Sequence, residues 1–86
     1  LKVKVAINMM VYPREVLNEI KWRYGALNEA EITYIHRGAP GDVRTVSGGE
    51  IISLGRSFFE TLDSSIPYHR IVKIRFRGHL LFGKDG

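Results

Sequence analysis

Apolar and polar residues alternate most clearly along Ile66-Pro67-Tyr68-His69-Arg70-Ile71-Val72-Lys73-Ile74-Arg75-Phe76-Arg77-Gly78. The pattern predicts one strand with two unlike faces, because successive side chains in a strand point to opposite sides. Val72, Ile74 and Phe76 fall on one face. His69, Lys73, Arg75 and Arg77 fall on the other, with Ile71 breaking the polarity. One face is expected to be core and the other cationic and wet. Arg70 lines up with the apolar row at its leading end. A guanidinium there snorkels past the sheet edge, pairs with a carboxylate such as Asp42 or Glu60, or meets an anion at a pocket mouth.

Residues 1–8 alternate with the lysines outward, as an edge strand does. Pro13 suits a first helical position, and Val16, Leu17, Ile20 and Tyr24 follow as one apolar stripe up to Gly25. Arg14, Glu15, Asn18, Glu19 and Arg23 take the opposite face, where Glu19 can pair with Arg23. Trp22 lies off the stripe's centre and reads either as a core-edge residue or as a base-stacking platform. A strand is predicted over 31–37, lying mid-sheet or covered on both sides, since each face is half apolar. Gly38-Ala39-Pro40-Gly41-Asp42 is a rigid turn, and a short strand follows from Val43 to Val46. Ser47 and Glu50 have capping-box spacing, which predicts about one helical turn ending at Gly55. Arg56 to Leu62 reads as a strand in which the adjacent Phe58 and Phe59 face opposite ways. Asp63 to Pro67 is a loop, and His79 to Phe82 is a last strand after Gly78. Short connections imply antiparallel neighbours. The fold class is therefore α+β: one main N-terminal helix packed on a curved, mainly antiparallel sheet or a partly open barrel.

Eighty-six residues make one small domain, with room for a shallow surface site and not a large internal cavity. Met9 and Met10 are each candidate starts, so residues 1–9 read as an N-terminal extension and 10–86 as the domain. There is no cysteine, which excludes thiolate chemistry and fits a reducing, cytoplasmic setting. No apolar run is long enough to span a membrane as a helix. The net charge of +4 favours anionic partners, nucleic acid first.

Two clusters carry the candidate chemistry. Each sets a His-Arg pair beside a proline-containing loop: His36, Arg37, Gly38 and Asp42 in the first, and Tyr68, His69 and Arg70 in the second. Arginine offers a fork of donors that matches phosphate oxygens, and histidine adds a further donor. Gly38 and Gly41 would let backbone N–H groups approach an anion. Asp42 could orient Arg37 or Arg70, or accept from a ribose hydroxyl. Solvated loop charges remain the plain alternative. The three histidines show no metal-ligand spacing, and no Gly-rich phosphate loop with its lysine is present.

Four blocks occur in order: Pro13 to Trp22, Tyr34 to Asp42, Leu54 to Phe59 and Ile66 to Ile71. Together they resemble a small, mainly archaeal family, the RNA cyclic-group end recognition domain, over about residues 10–83. Residues 1–9 precede the usual start of such proteins, which favours Met10. The resemblance implies a non-catalytic RNA-binding module for ends carrying a phosphate or 2′,3′-cyclic phosphate. It implies no cofactor, and RNA-processing enzymes as possible partners. It carries Arg37, Gly38, Asp42, His69 and Arg70 over as the end-binding set, flanked by His36 and Tyr68. Beside them, Lys73, Arg75 and Arg77 of the cationic strand face would track the backbone of the preceding nucleotides. Two rivals stand beside it: a small phosphodiesterase or nuclease using His36 or His69, and an adaptor whose sheet edge pairs with a partner.

Overall fold

The computed structural model describes residues 12–84. The expected first strand, and with it the boundary at residue 9, lies outside the described residues. Proline at the first position and a left-handed Gly25 (φ 61°) bracket the helix as predicted. It runs as α1 (Pro13–Glu19) and continues into a π-helical turn, Ile20–Tyr24. Val16, Leu17 and Ile20 are fully buried. Tyr24, next on the expected stripe, is half exposed and rests against Phe76 with ring centroids 5.4 Å apart. A π turn takes more residues per revolution than an α turn, so it rotates Tyr24 off the stripe. The same turn leaves Trp22 75% exposed, with the Lys21 ammonium 5.0 Å from its ring centroid. Trp22 is therefore not a core-edge residue.

Seven strands follow: β1 (Ala30–Ile35), β2 (Val43–Ser47), β3 (Ser53–Leu54), β4 (Phe58–Glu60), β5 (Ser65–Pro67), β6 (Ile71–Phe76) and β7 (His79–Gly83). They form two antiparallel sheets, ordered β2-β1-β6-β7 and β3-β4-β5. The class is α+β as expected, but the sheets do not close into a barrel. β1 lies mid-sheet, as its mixed faces predicted, yet among the described residues only one face is covered. Ala30, Ile32 and Tyr34 are buried, whereas Glu31 and Ile35 are exposed. The core joins that inner face to α1 and to Phe59, Ile66 and Tyr68 of the smaller sheet's side.

The long strand expected over 66–78 is divided. Ile66 and Pro67 belong to β5, Tyr68–Arg70 is a single 3-10 turn, and β6 begins at Ile71. Pro67, held at φ −63° and ψ 142°, directs the chain out of the smaller sheet, and the Tyr68 N–H bonds to the Ser57 carbonyl at 3.2 Å. Within β6 the register then slips. Thr33 pairs with Lys73 but Tyr34 pairs with Ile71, so Val72 is the extra residue of a bulge. A bulge inverts the alternation, which is why Ile71 is fully buried although it broke the polar row in sequence. Arg70 sits in the turn and is exposed, not aligned with the apolar row. Among the described residues the ion pairs are Arg23–Glu19, as predicted, and Arg77–Glu29, so Arg70 pairs with neither Asp42 nor Glu60.

The Ser47–Glu50 capping box forms with both of its hydrogen bonds, but around one 3-10 turn, Gly48–Glu50, and not a helix reaching Gly55. Two glycines weaken helix propagation, and Ile51 is already extended. Gly48 packs onto the Leu27 carbonyl so closely that a Cβ there would collide with it. The strand expected over 56–62 is shorter, because Arg56 and Ser57 form the tip of the β3–β4 hairpin, closed by Gly55 N–H to Phe58 O at 2.9 Å. Phe59 is core and Phe58 is half exposed, facing opposite ways as expected.

Candidate functional site

The pairing of β1 with β6 decides where the two His-Arg clusters lie. The strands are antiparallel, so the end of β1 meets the start of β6. The loop 36–42 follows the first, and the turn Tyr68–Arg70 precedes the second. Segments about thirty residues apart in sequence are therefore neighbours at one end of the larger sheet.

The first loop is held by its own hydrogen bonds. The His36 N–H donates to the Asp42 carbonyl at 2.8 Å, and the Asp42 N–H donates to the Ala39 carbonyl at 2.8 Å. The Asp42 carboxylate accepts from the Gly38 N–H at 3.3 Å. Gly38 (φ 97°), Gly41 (φ 68°) and Asp42 (φ 61°) all have left-handed backbones. At Asp42 that conformation is disfavoured but tolerated, because a short side chain can satisfy the turn. Asp42 thus holds its own loop, and it forms no ion pair with Arg37 or Arg70.

An open groove of about 590 Å³ lies against this loop. Its apolar lining is Ile35, Val43 and Val72, and its polar lining is Arg37, Asp42 and Lys84. Ile35 and Val43 are cross-strand partners on the face away from the core, and both remain partly exposed. Val72 reaches the groove because it is the bulged residue. Lys84 was not singled out in sequence, where it reads as tail. Its N–H bonds to the Val72 carbonyl at 2.9 Å, and its ammonium donates to the His69 carbonyl at 2.7 Å. The strand β7 thereby brings a second cation beside Arg37.

Tyr68 and His69 line a different groove, of about 540 Å³, with Tyr12, Arg14, Arg56 and Ser57. Tyr68 is buried and its hydroxyl donates to the Gly55 carbonyl at 2.7 Å. Burial pushes the Tyr68 pKa up, and the nearby Arg14 guanidinium opposes that shift. Arg70 lines neither groove, and neither groove holds both His36 and His69. His36 is exposed and meets Tyr34 edge-on at 6.1 Å. The structure therefore brings Arg37 and Asp42 together, adds Lys84 to them, and sets Tyr68 and His69 in a different groove.

The three strand cations divide as well. Lys73 and Arg75 are exposed on the open face of the sheet, opposite Thr33 and Glu31. Arg77 does not extend their row. It belongs with Gly78 to the two-residue turn joining β6 to β7, and both residues have positive φ (52° and 82°), as such hairpins require. Its guanidinium pairs with Glu29 through two bonds, at 2.7 and 3.3 Å, and lies over the Phe76 ring. That hydrogen bonding lowers the Glu29 pKa and raises that of Arg77. Among the described residues no cluster of His, Asp and Glu is arranged to hold a metal, and no helix is long and apolar enough to cross a membrane.

Known proteins share this sequence over most of its length. The chain is 37% identical over 79 residues to a UPF0248 protein of Thermococcus sibiricus, covering 87% of each chain. It is 42% identical over 64 residues to the UPF0248 protein PYRAB10580 of Pyrococcus abyssi, covering 71% of this chain and 74% of that one. It is 32% identical over 74 residues to the UPF0248 protein MJ1316 of Methanocaldococcus jannaschii, covering 83% and 91%. No solved structure gives a significant match. The family described as the MJ1316 RNA cyclic group end recognition domain matches residues 10–84. With most of its length matched, and with relatives above 30% identity across it, the chain belongs to that family.

Proposed function

We propose that the protein is an RNA-binding module that holds a phosphorylated or 2′,3′-cyclic-phosphate RNA end, without catalysis, in the groove between loop 36–42 and the open face of the sheet. The observation that carries this reading is that Arg37 and Lys84 line one groove together with Ile35, Val43 and Val72. A terminal nucleotide offers a matching division of chemistry. Its phosphate calls for cations with several N–H donors, and its sugar and base call for an apolar surface. The groove is within the usual range for a small ligand. The family's description points to the same class of ligand.

Roles follow from position. Arg37 supplies the planar fork for the phosphate and Lys84 a compact second charge. Asp42 keeps the loop closed by accepting from the Gly38 N–H. Lys73 and Arg75 steer the preceding backbone over the open face. The test compares oligonucleotides of one sequence ending in a cyclic phosphate, a 3′-phosphate or a 3′-hydroxyl. The native protein should prefer the phosphorylated ends. Arg37→Ala should abolish that preference, whereas Lys73→Ala should weaken all three equally and flatten the salt dependence. Equal affinity for the three ends in the native protein would dispose of the reading. Ring opening of the cyclic end by pure protein, lost in His69→Ala, would replace it with an enzyme.

A further inference from the structure

The groove that contains Tyr68 and His69 holds chemistry the end-binding reading does not use. Arg14 and Arg56 both line it, and among the described residues neither is in an ion pair. Among the described residues the single carboxylate along the groove is Glu15. The Gly55 carbonyl accepts both the Tyr68 hydroxyl and Arg14 Nε, the latter at 3.2 Å. One backbone oxygen therefore fixes a buried tyrosine and a guanidinium together. That bond uses Nε, and the guanidinium also lies close to the Tyr68 hydroxyl while remaining exposed to solvent. The bond to the Gly55 carbonyl holds the Arg14 side chain over the groove. Arg56 and Ser57 come from the hairpin tip, His69 from the 3-10 turn, and Tyr12 adds a largely exposed ring at the groove's edge.

We propose that this second groove is a phosphodiester subsite for RNA: Arg14 and Arg56 hold one backbone phosphate, Ser57 and His69 donate to it, and Tyr12 stacks on an adjoining base. This rests on the end-binding reading for the direction of the strand, since the phosphate would be one preceding the end held at Arg37. The two sites are physically joined. Lys84 lines the first groove, and its ammonium bonds to the carbonyl of His69, which lines the second. An aromatic face beside a cationic groove is the usual arrangement for single-stranded nucleic acid, because every base offers a stacking surface.

The consequence is a dependence on length. RNA ending in a cyclic phosphate, prepared as one, two, three and five nucleotides, should bind more tightly once the strand reaches the second groove. Each phosphate neutralised contributes about −0.7 to the slope of log K against log salt for a single strand. Arg56→Gln should bind the mononucleotide like the native protein, lose the gain with length, and reduce the slope for the pentanucleotide by about 0.7. Arg56 is the primary variant because it lies at a hairpin tip. Arg14→Lys, which keeps the charge and loses the fork, should lose part of the gain. An unchanged gain and slope in Arg56→Gln would overturn the subsite. If the native protein shows no preference among end chemistries but Arg56→Gln still reduces the slope, the end-binding reading falls and the subsite stands.

Discussion

Replacing Tyr68 with phenylalanine removes one oxygen at the point where the core meets the second groove. The ring keeps its packing, tilted 39° against Phe59 with centroids 6.0 Å apart. The lost interaction is a neutral hydrogen bond of 2.7 Å to the Gly55 carbonyl. Such a bond contributes about 1 kcal/mol net, and more only when its partner is left buried without a substitute. Here the carbonyl keeps Arg14 Nε at 3.2 Å, so no acceptor is orphaned. The expected loss is about 1 kcal/mol, which for a domain of this size lowers Tm by about 4–8 °C. Thermal and urea unfolding of Tyr68→Phe, Arg14→Gln and the double variant would measure it. Because both side chains meet at one oxygen, their effects should not add. Additive effects, or a loss above about 3 kcal/mol from Tyr68→Phe alone, would refute the shared-carbonyl reasoning. The first outcome would mean that Arg14 is not ordered through this contact.

Gly48→Ala should destabilise strongly, because the new methyl meets backbone at the Leu27 carbonyl; a fall in the urea midpoint checks it, and an unchanged midpoint would show that the two turns are free to separate. Asp42→Asn should leave Tm nearly unchanged, since asparagine tolerates a left-handed backbone and can still accept from the Gly38 N–H, while RNA affinity rises as a negative charge leaves the groove. Weaker binding to RNA, with DNA of the same sequence unaffected, would instead mark Asp42 as the reader of a ribose hydroxyl. The Glu29 pKa is lowered in the folded protein, so its pairing with Arg77 contributes stability above the ordinary carboxylate pKa, and that contribution is lost as pH falls through the lowered value. Glu29→Gln should therefore reduce stability at neutral pH and converge on the native protein in acid, as pH-dependent unfolding curves would show. Trp22→Ala should change Tm little, because the ring is mostly in solvent.

Much of the local structure was legible in the chain. Pro13 and Gly25 set the helix bounds, since a fixed φ and a left-handed residue act within a few positions of themselves. The Ser47–Glu50 cap, the opposed Phe58 and Phe59, the Glu19–Arg23 pair and the α+β class were readable for the same reason: each depends on spacing alone. The site was half legible. Arg37 and Asp42 belong to one loop, and a loop's glycines and proline announce it. Lys84 was not: the return of β7 after Gly78 was readable, but the register that sets Lys84 against Val72 and His69 depends on the irregularities within β6.

The sequence by itself determined the elements, their apolar faces and the surplus of positive charge, all of which follow from interactions between near neighbours. Tertiary structure decided which side each residue of the 66–78 segment would take. A turn after Pro67 and one bulged residue at Val72 exposed Arg70, buried Ile71 and sent Val72 toward the first groove. It also decided that Arg77 would be neutralised by Glu29, 48 positions away, and that Arg37 and His69, one from each His-Arg cluster, would line separate grooves. Register and ion pairing depend on which strands meet, and that choice is made by burying the apolar faces of the whole chain at once.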